Sequence, residues 1–158
     1  MTEQQGVCYT FETALEMALT MEQRCFRAFL QAIRTVKDRS AGMILKDAAL
    51  EEIDHKQRLE KALIEGGIDP DEHLQETMPL MHLDDLLKQQ ELNAEADSRQ
   101  ALAYVIHLKK NNLEFYDKLA KGCTGAPMAP IFQQLANDES LNLQKLEDLY
   151  EAHFLTEN

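Results

Sequence analysis

Apolar residues recur at three- and four-residue spacing through four long stretches of the chain, roughly residues 11–37, 40–65, 98–122 and 130–154. This period predicts four amphipathic helices. Ser40 and Ser98 suit N-caps and Pro130 suits a first turn, while Gly66, Gly67 and Gly122 provide stops. The first two helices follow each other almost directly, and "GCTGAPMAP" joins the last two. About thirty residues separate the second helix from the third, far beyond the usual ~2–8 between bundle helices, so this segment is expected to cross back along the bundle. Within it, "LDDLLKQQEL" is expected to form a short helix, and "MPLMHL" to pack over a bundle end or a partner chain.

The two halves repeat. With an offset of 87 residues, "ALEMALTMEQRCFRAF" falls on "ALAYVIHLKKNNLEFY", and "ILKDAALEEIDHKQRL" on "IFQQLANDESLNLQKL". Ala14 then matches Ala101, Phe29 matches Tyr116, Ile44 matches Ile131, Glu52 matches Glu139 and Leu59 matches Leu146. Both helices of each pair keep one offset, which indicates a duplicated helical hairpin. Two such hairpins closed on each other make an all-α four-helix bundle with a long central crossover, a single domain over residues 1–158.

The predicted inward stripe of each helix is interrupted by polar residues. The stripes read Leu15, Ala18, Glu22, Cys25, Phe29 on the first helix and Leu45, Ala49, Glu52, His55, Leu59 on the second. They continue as Leu102, Val105, Lys109, Asn112, Tyr116 on the third and Phe132, Leu135, Glu139, Asn142, Leu146 on the fourth. All four breaks fall at one depth, where unpartnered charge is costly. Something must compensate them.

Composition narrows the classes of function. The 158 residues are 44% hydrophobic and 28% charged, with a formal net charge of -12. That acidity argues against nucleic acid or an anionic membrane as partner, since both require clustered Lys and Arg. No stretch approaches the ~20 apolar residues of a membrane span, and the N-terminal residues lack a signal-peptide pattern. Cys8, Cys25 and Cys123 are an odd number with no close pair, so a reducing cytoplasm is the expected compartment.

The polar layer resembles that of the rubrerythrin branch of the ferritin-like family, over nearly the whole chain. That family builds a di-iron carboxylate site from one Glu on each of two helices and a Glu-x-x-His on each of the other two. "EQRCFRAF" looks like its first-helix motif, with Glu22 in the ligand position, and "EIDH" supplies Glu52 and His55. The second half departs from the pattern. Lys109 stands where a third-helix Glu is expected, and the fourth helix reads "ESLN", giving Glu139 but Asn142 instead of His. By the family's arrangement, one metal is held by the first-helix Glu and second-helix His, with the two remaining glutamates between the metals. Glu22, Glu52, His55 and Glu139 are then a full set for one ion, and both losses belong to the other.

Ionised Glu22, Glu52 and Glu139 contribute three negative charges and Lys109 returns one, leaving about minus two in a buried layer. One divalent ion balances that, and so would protonation of His55 and one glutamate. The resemblance therefore implies either a metal-binding protein with one ion per chain or a metal-free interaction module in which Lys109 pairs with Glu52, Glu139 or both. Iron is the expected ion, with manganese and zinc also suited to these ligands. An enzyme built on this site would be an oxidoreductase acting on oxygen or peroxide. The 158 residues hold no Cys-x-x-Cys pair, so electrons would come from a separate donor, and a homodimer is the expected assembly. Cys25, Phe29, Phe132 and Tyr116 are expected to pack in the core. Glu51 and Asp54 fall off the stripe and are expected to be solvated, as are His73, His82, His107 and His153.

Overall fold

The computed structural model describes residues 6–7, 11–65, 78–79, 91–121 and 130–155. Four helices dominate it: α1 (Phe11–Thr35), α2 (Arg39–Glu65), α3 (Ser98–Lys121) and α4 (Pro130–Tyr150), the last extended by a wider π-type turn, Glu151–Leu155. Helices α1 and α2 form one packed hairpin and α3 and α4 another, with α2 against α3. The chain is therefore an all-α four-helix bundle, with one short antiparallel pairing of Gly6–Val7 (β1) with Met78–Pro79 (β2).

The predicted helices are present, but their caps differ. Asp38, not Ser40, begins α2: its carboxylate accepts a hydrogen bond from the Ala41 amide at 2.8 Å. Asp97, not Ser98, caps α3 in a reciprocal box, in which its carboxylate accepts from the Gln100 amide and its own amide donates to the Gln100 side chain. An aspartate outcompetes the following serine in both places because its charge also complements the positive end of the helix. Helices α2 and α3 end immediately before Gly66 and Gly122, and Pro130 opens α4. Most of "LDDLLKQQEL", most of "MPLMHL", all of "GCTGAPM", His73, His82, Cys8 and Cys123 lie outside the described residues; Leu92, at the end of the first of these, precedes α3 without being helical.

The direction of the crossover follows from two contacts. The amide of Lys37, in the α1–α2 corner, donates to the Ala94 carbonyl at 3.1 Å, and its side chain meets Glu95 at 3.2 Å. The chain thus re-enters at the end where α2 began. That end lies about 40 Å, the length of α2 at 1.5 Å per residue, from where α2 finishes. At the opposite end Phe11 meets Phe132 edge to face at 5.6 Å.

The inward stripes of α1, α2 and α3 are buried throughout. Repeat-related residues share this core: Ala14 with Ala101, Leu15 with Leu102, Ala49 with Ala136, Phe29 with Tyr116. Cys25 and Asn112, themselves 87 positions apart, touch each other, so the local symmetry axis relating the hairpins passes between them. On α4 the stripe holds for Phe132, Leu135 and Glu139, but Leu143 takes the next buried position while Asn142 and Leu146 are half-buried. At 100° per residue the inward face passes from Glu139 to the position four residues on, rather than three. Among the described residues, no helix is long and apolar enough to cross a membrane.

Candidate metal centre

One carboxylate from each of α1, α2 and α4 and one imidazole from α2 meet in the middle of the bundle. Glu22, Glu52, His55 and Glu139 each offer a ligand atom, and these atoms all lie within 4.8 Å of one another. None of the four residues is more than 2% exposed. Helical spacing puts them there: Glu22 lies one turn from Ala18 and Cys25 on a buried stripe, and Glu52 and His55 are three residues apart on one face. His55 Nδ1 is 3.0 Å from Glu139 Oε1 and 3.5 Å from Glu22 Oε1.

Lys109, fully buried, projects from α3 into the same layer. Its ammonium lies 2.6 Å from Glu52 Oε1, where it donates a hydrogen bond, 2.9 Å from Glu51 Oε2 and 3.6 Å from Glu139 Oε1. Burial alone would drive off its proton. The charges of Glu52, Glu139 and Glu51 outweigh that and hold the ammonium well above its ordinary pKa. Lys109 therefore bridges Glu52 and Glu139, as expected, and also reaches Glu51. Glu51 is not simply solvated: its side chain is 37% exposed, yet one oxygen faces the buried ammonium. Asp54 is exposed and held by Arg58 at 2.6 Å, and Arg58 also ties α2 to Asp138 of α4 at 2.5 Å.

Tyr116 is more than a core aromatic, because its hydroxyl donates a short hydrogen bond to Glu22 Oε1. Burial and the charge of Glu22 raise its pKa, so the hydroxyl keeps the proton it donates. Its repeat partner Phe29 lacks that group. The signal in the sequence was the Phe29/Tyr116 mismatch itself: a hydroxyl added only in the copy where Lys109, and not a glutamate, stands two turns before the ring. Cys25 donates through sulfur to Asn112 Oδ1 at 3.3 Å. Burial and the nearby charges of Glu52 and Glu22 raise its thiol well above the ordinary value, so it remains a neutral packing group. Asn142 does not enter the charged layer, but lines a surface groove beside His55.

The carboxylates are crowded. Burial pushes the Glu22 carboxyl up to about 7, reinforced by the charge of Glu139 and opposed by hydrogen bonds to Glu52 and Tyr116 and by Lys109. Burial and the charge of Glu22 likewise raise Glu52, against the pull of Lys109. Even so, Glu22 Oε2, Glu52 Oε2, His55 Nδ1 and both oxygens of Glu139 are buried in one layer and face chiefly one another and Lys109: His55 Nδ1 stands 3.0 Å from Glu139 Oε1, and Glu22 shares a hydrogen bond with Glu52. Buried polar atoms normally find partners. Here three carboxylates and an imidazole converge with their ligand atoms within 4.8 Å of one another, so the residues present fit a metal ion; Asn112 Nδ2 and Glu51 Oε2, outside the cluster, are buried without a hydrogen bond too.

The family profile of rubrerythrin matches residues 13–150. The chain belongs to the rubrerythrin family. Comparison with curated proteins and with solved structures returned no match. Against the rubrerythrin six-ligand pattern, the geometry places Glu22, Glu52, His55 and Glu139 around one point and an ammonium beside Glu52 and Glu139.

Proposed function

We propose that this rubrerythrin-family chain binds one divalent metal ion, iron first among the candidates, between Glu22, Glu52, His55 and Glu139, with Lys109 supplying the charge of a second ion. The observation that carries this reading is the convergence of four buried ligand atoms within 4.8 Å of one another. Ionised Glu22, Glu52 and Glu139 with Lys109 and one divalent ion sum to zero, and the partly exposed Glu51 leaves one negative charge toward the groove, whereas without the ion the buried layer must retain protons. Three carboxylates and one imidazole suit Fe(II), Mn(II) and Zn(II) alike.

A bound iron would supply one-electron redox chemistry. The chain's own residues would then do the following: His55 and the carboxylates hold the ion, Tyr116 fixes one oxygen of Glu22, and Lys109 orients Glu52 while occupying the neighbouring space. A two-electron reduction of peroxide would need the second electron from elsewhere. We therefore read a role toward oxygen or peroxide as one dependent on a separate electron donor, and a homodimer as the assembly, to be checked by light scattering.

Elemental analysis tests the reading, on protein purified without tag or chelator and again after Fe(II) is offered anaerobically. The expected result is about one metal per chain, lost in His55→Ala and in Glu52→Ala. No metal in either preparation would refute it and leave the second reading, favoured by the Lys109 contacts, of a metal-free bundle whose ionic layer fixes helix register.

A further inference from the structure

The four ligand atoms are buried, so an ion reaching them needs a path. Along the bundle axis the layers on either side are filled by residues such as Leu15, Phe29, Leu59, Tyr116 and Leu135, all fully buried. Sideways, the seam between α2 and α4 opens into a groove of about 460 Å³ walled by Leu50 and Leu141, with His55 and Glu51 reaching its surface. A second groove, of about 470 Å³ along α3 and the end of α4, contains none of the four ligands.

Charge in the first groove is largely spoken for. Asp54 and Asp138 are both bound by Arg58. Glu51 differs, because its side chain borders both the groove and the buried centre: it is partly exposed, while its Oε2 is buried and 2.9 Å from Lys109 Nζ. Of the three carboxylates around that ammonium, Glu51 alone has substantial contact with water. The groove also carries Asp54 and Asp138 against Arg58 and Lys145, two charges of each sign, so Glu51 supplies its net negative charge and the counter-charge beside Lys109.

Resting on the one-metal reading above, we propose that the α2–α4 groove is the entry path for the divalent cation and that Glu51 is its relay. Glu51 neutralises Lys109 at the mouth, takes the ion from the groove, and releases it to Glu52 and His55 as it returns to the ammonium. It is a positioning residue, absent from the final ligand set. No bond other than metal coordination is made or broken.

The test is the rate of Co(II) uptake, followed by stopped-flow absorbance with the metal-free full chain, together with the Co(II) bound at equilibrium. Glu51→Gln is expected to slow uptake about tenfold or more, the scale of electrostatic steering, with unchanged final stoichiometry. Its rate should also fall less steeply with added salt than that of the wild type. Leu141→Trp, at a solvent-exposed wall position, should narrow the groove and slow uptake likewise. Wild-type rates in both variants would overturn the path. Reduced final stoichiometry in Glu51→Gln would make Glu51 a resident ligand and overturn the relay. Absence of equilibrium binding in the wild type would overturn this inference together with the one-metal reading, whereas the first two results leave that reading standing.

Discussion

Replacing Lys109 with methionine keeps a flexible chain of similar length and removes the one positive charge placed among the buried carboxylates. In the metal-free protein, Glu52 and Glu139 would lose an ammonium at 2.6 and 3.6 Å in a fully buried position. Removing one member of a buried ionic network costs roughly 3–5 kcal/mol, and for a chain of this size each kcal/mol lowers Tm by about 2–4 °C. Lys109→Met should therefore melt about 6–20 °C below wild type at pH 8 in the presence of EDTA. Protons can replace the lost charge, so the deficit should shrink at pH 5, below the value of about 7 to which burial raises Glu22; burial shifts Glu52 in the same direction. A divalent ion can replace it too, so saturating Co(II) should return part of the lost stability. Differential scanning calorimetry of wild type and variant at the two pH values, with and without metal, gives all four comparisons. A deficit below about 2 °C at pH 8 without metal would refute the reasoning, because it would mean that the ammonium does not hold the carboxylate charge.

Three further outcomes are expected. Glu22 has a folded-state pKa of about 7 against 4.5 in the unfolded chain, so the native state binds the extra proton between these values, and the metal-free protein should lose roughly 3 kcal/mol from this group as pH rises from 4.5 to above 7; urea unfolding of wild type and Glu22→Gln should show the slope flattened in the variant, and equal slopes would remove Glu22 as its source. Tyr116→Phe deletes the hydroxyl bonded to Glu22 while keeping the ring that Phe29 uses at the equivalent position, and should cost about 1–3 kcal/mol in metal-free urea unfolding; no loss would mean the hydrogen bond contributes nothing net. Lys109→Glu combined with Asn142→His supplies the residue types of the six-ligand pattern, but position 142 lines the groove and does not enter the charged layer, so elemental analysis should show no second metal per chain; a gain of one would mean that α4 turns to bring position 142 inward.

Much of this architecture was legible because its signals are periodic. Helix positions, the repeat and the depth of the four polar breaks all follow from where apolar residues recur, and a bundle core has little freedom to place them otherwise. Local competition was harder to read. Asp38 and Asp97 cap helices where the serines beside them looked equally suitable, because the choice depends on backbone geometry at the turn. Asn142 followed a three-residue step from Glu139, while the bundle continued with the four-residue step to Leu143; either is compatible with a helix until a neighbour decides between them.

Tyr116 and Glu51 mark the other limit, since a side chain's role depends on how far its polar end reaches, not only on the face from which it starts. Tyr116 starts on an apolar stripe and ends at Glu22. Glu51 starts off the stripe and ends at Lys109. Their partners are 94 and 58 positions away, so no local window could have paired them. The repeat offers a way to look for such residues. Where two halves once had the same ligands, each substitution in one half leaves charge or space that neighbouring side chains must meet. Lys109, opposite Glu22 in the repeat, is such a difference, and Glu51 reaches its ammonium at 2.9 Å. The asymmetry between the halves therefore points to the residues around the polar cluster, just as their symmetry points to the fold.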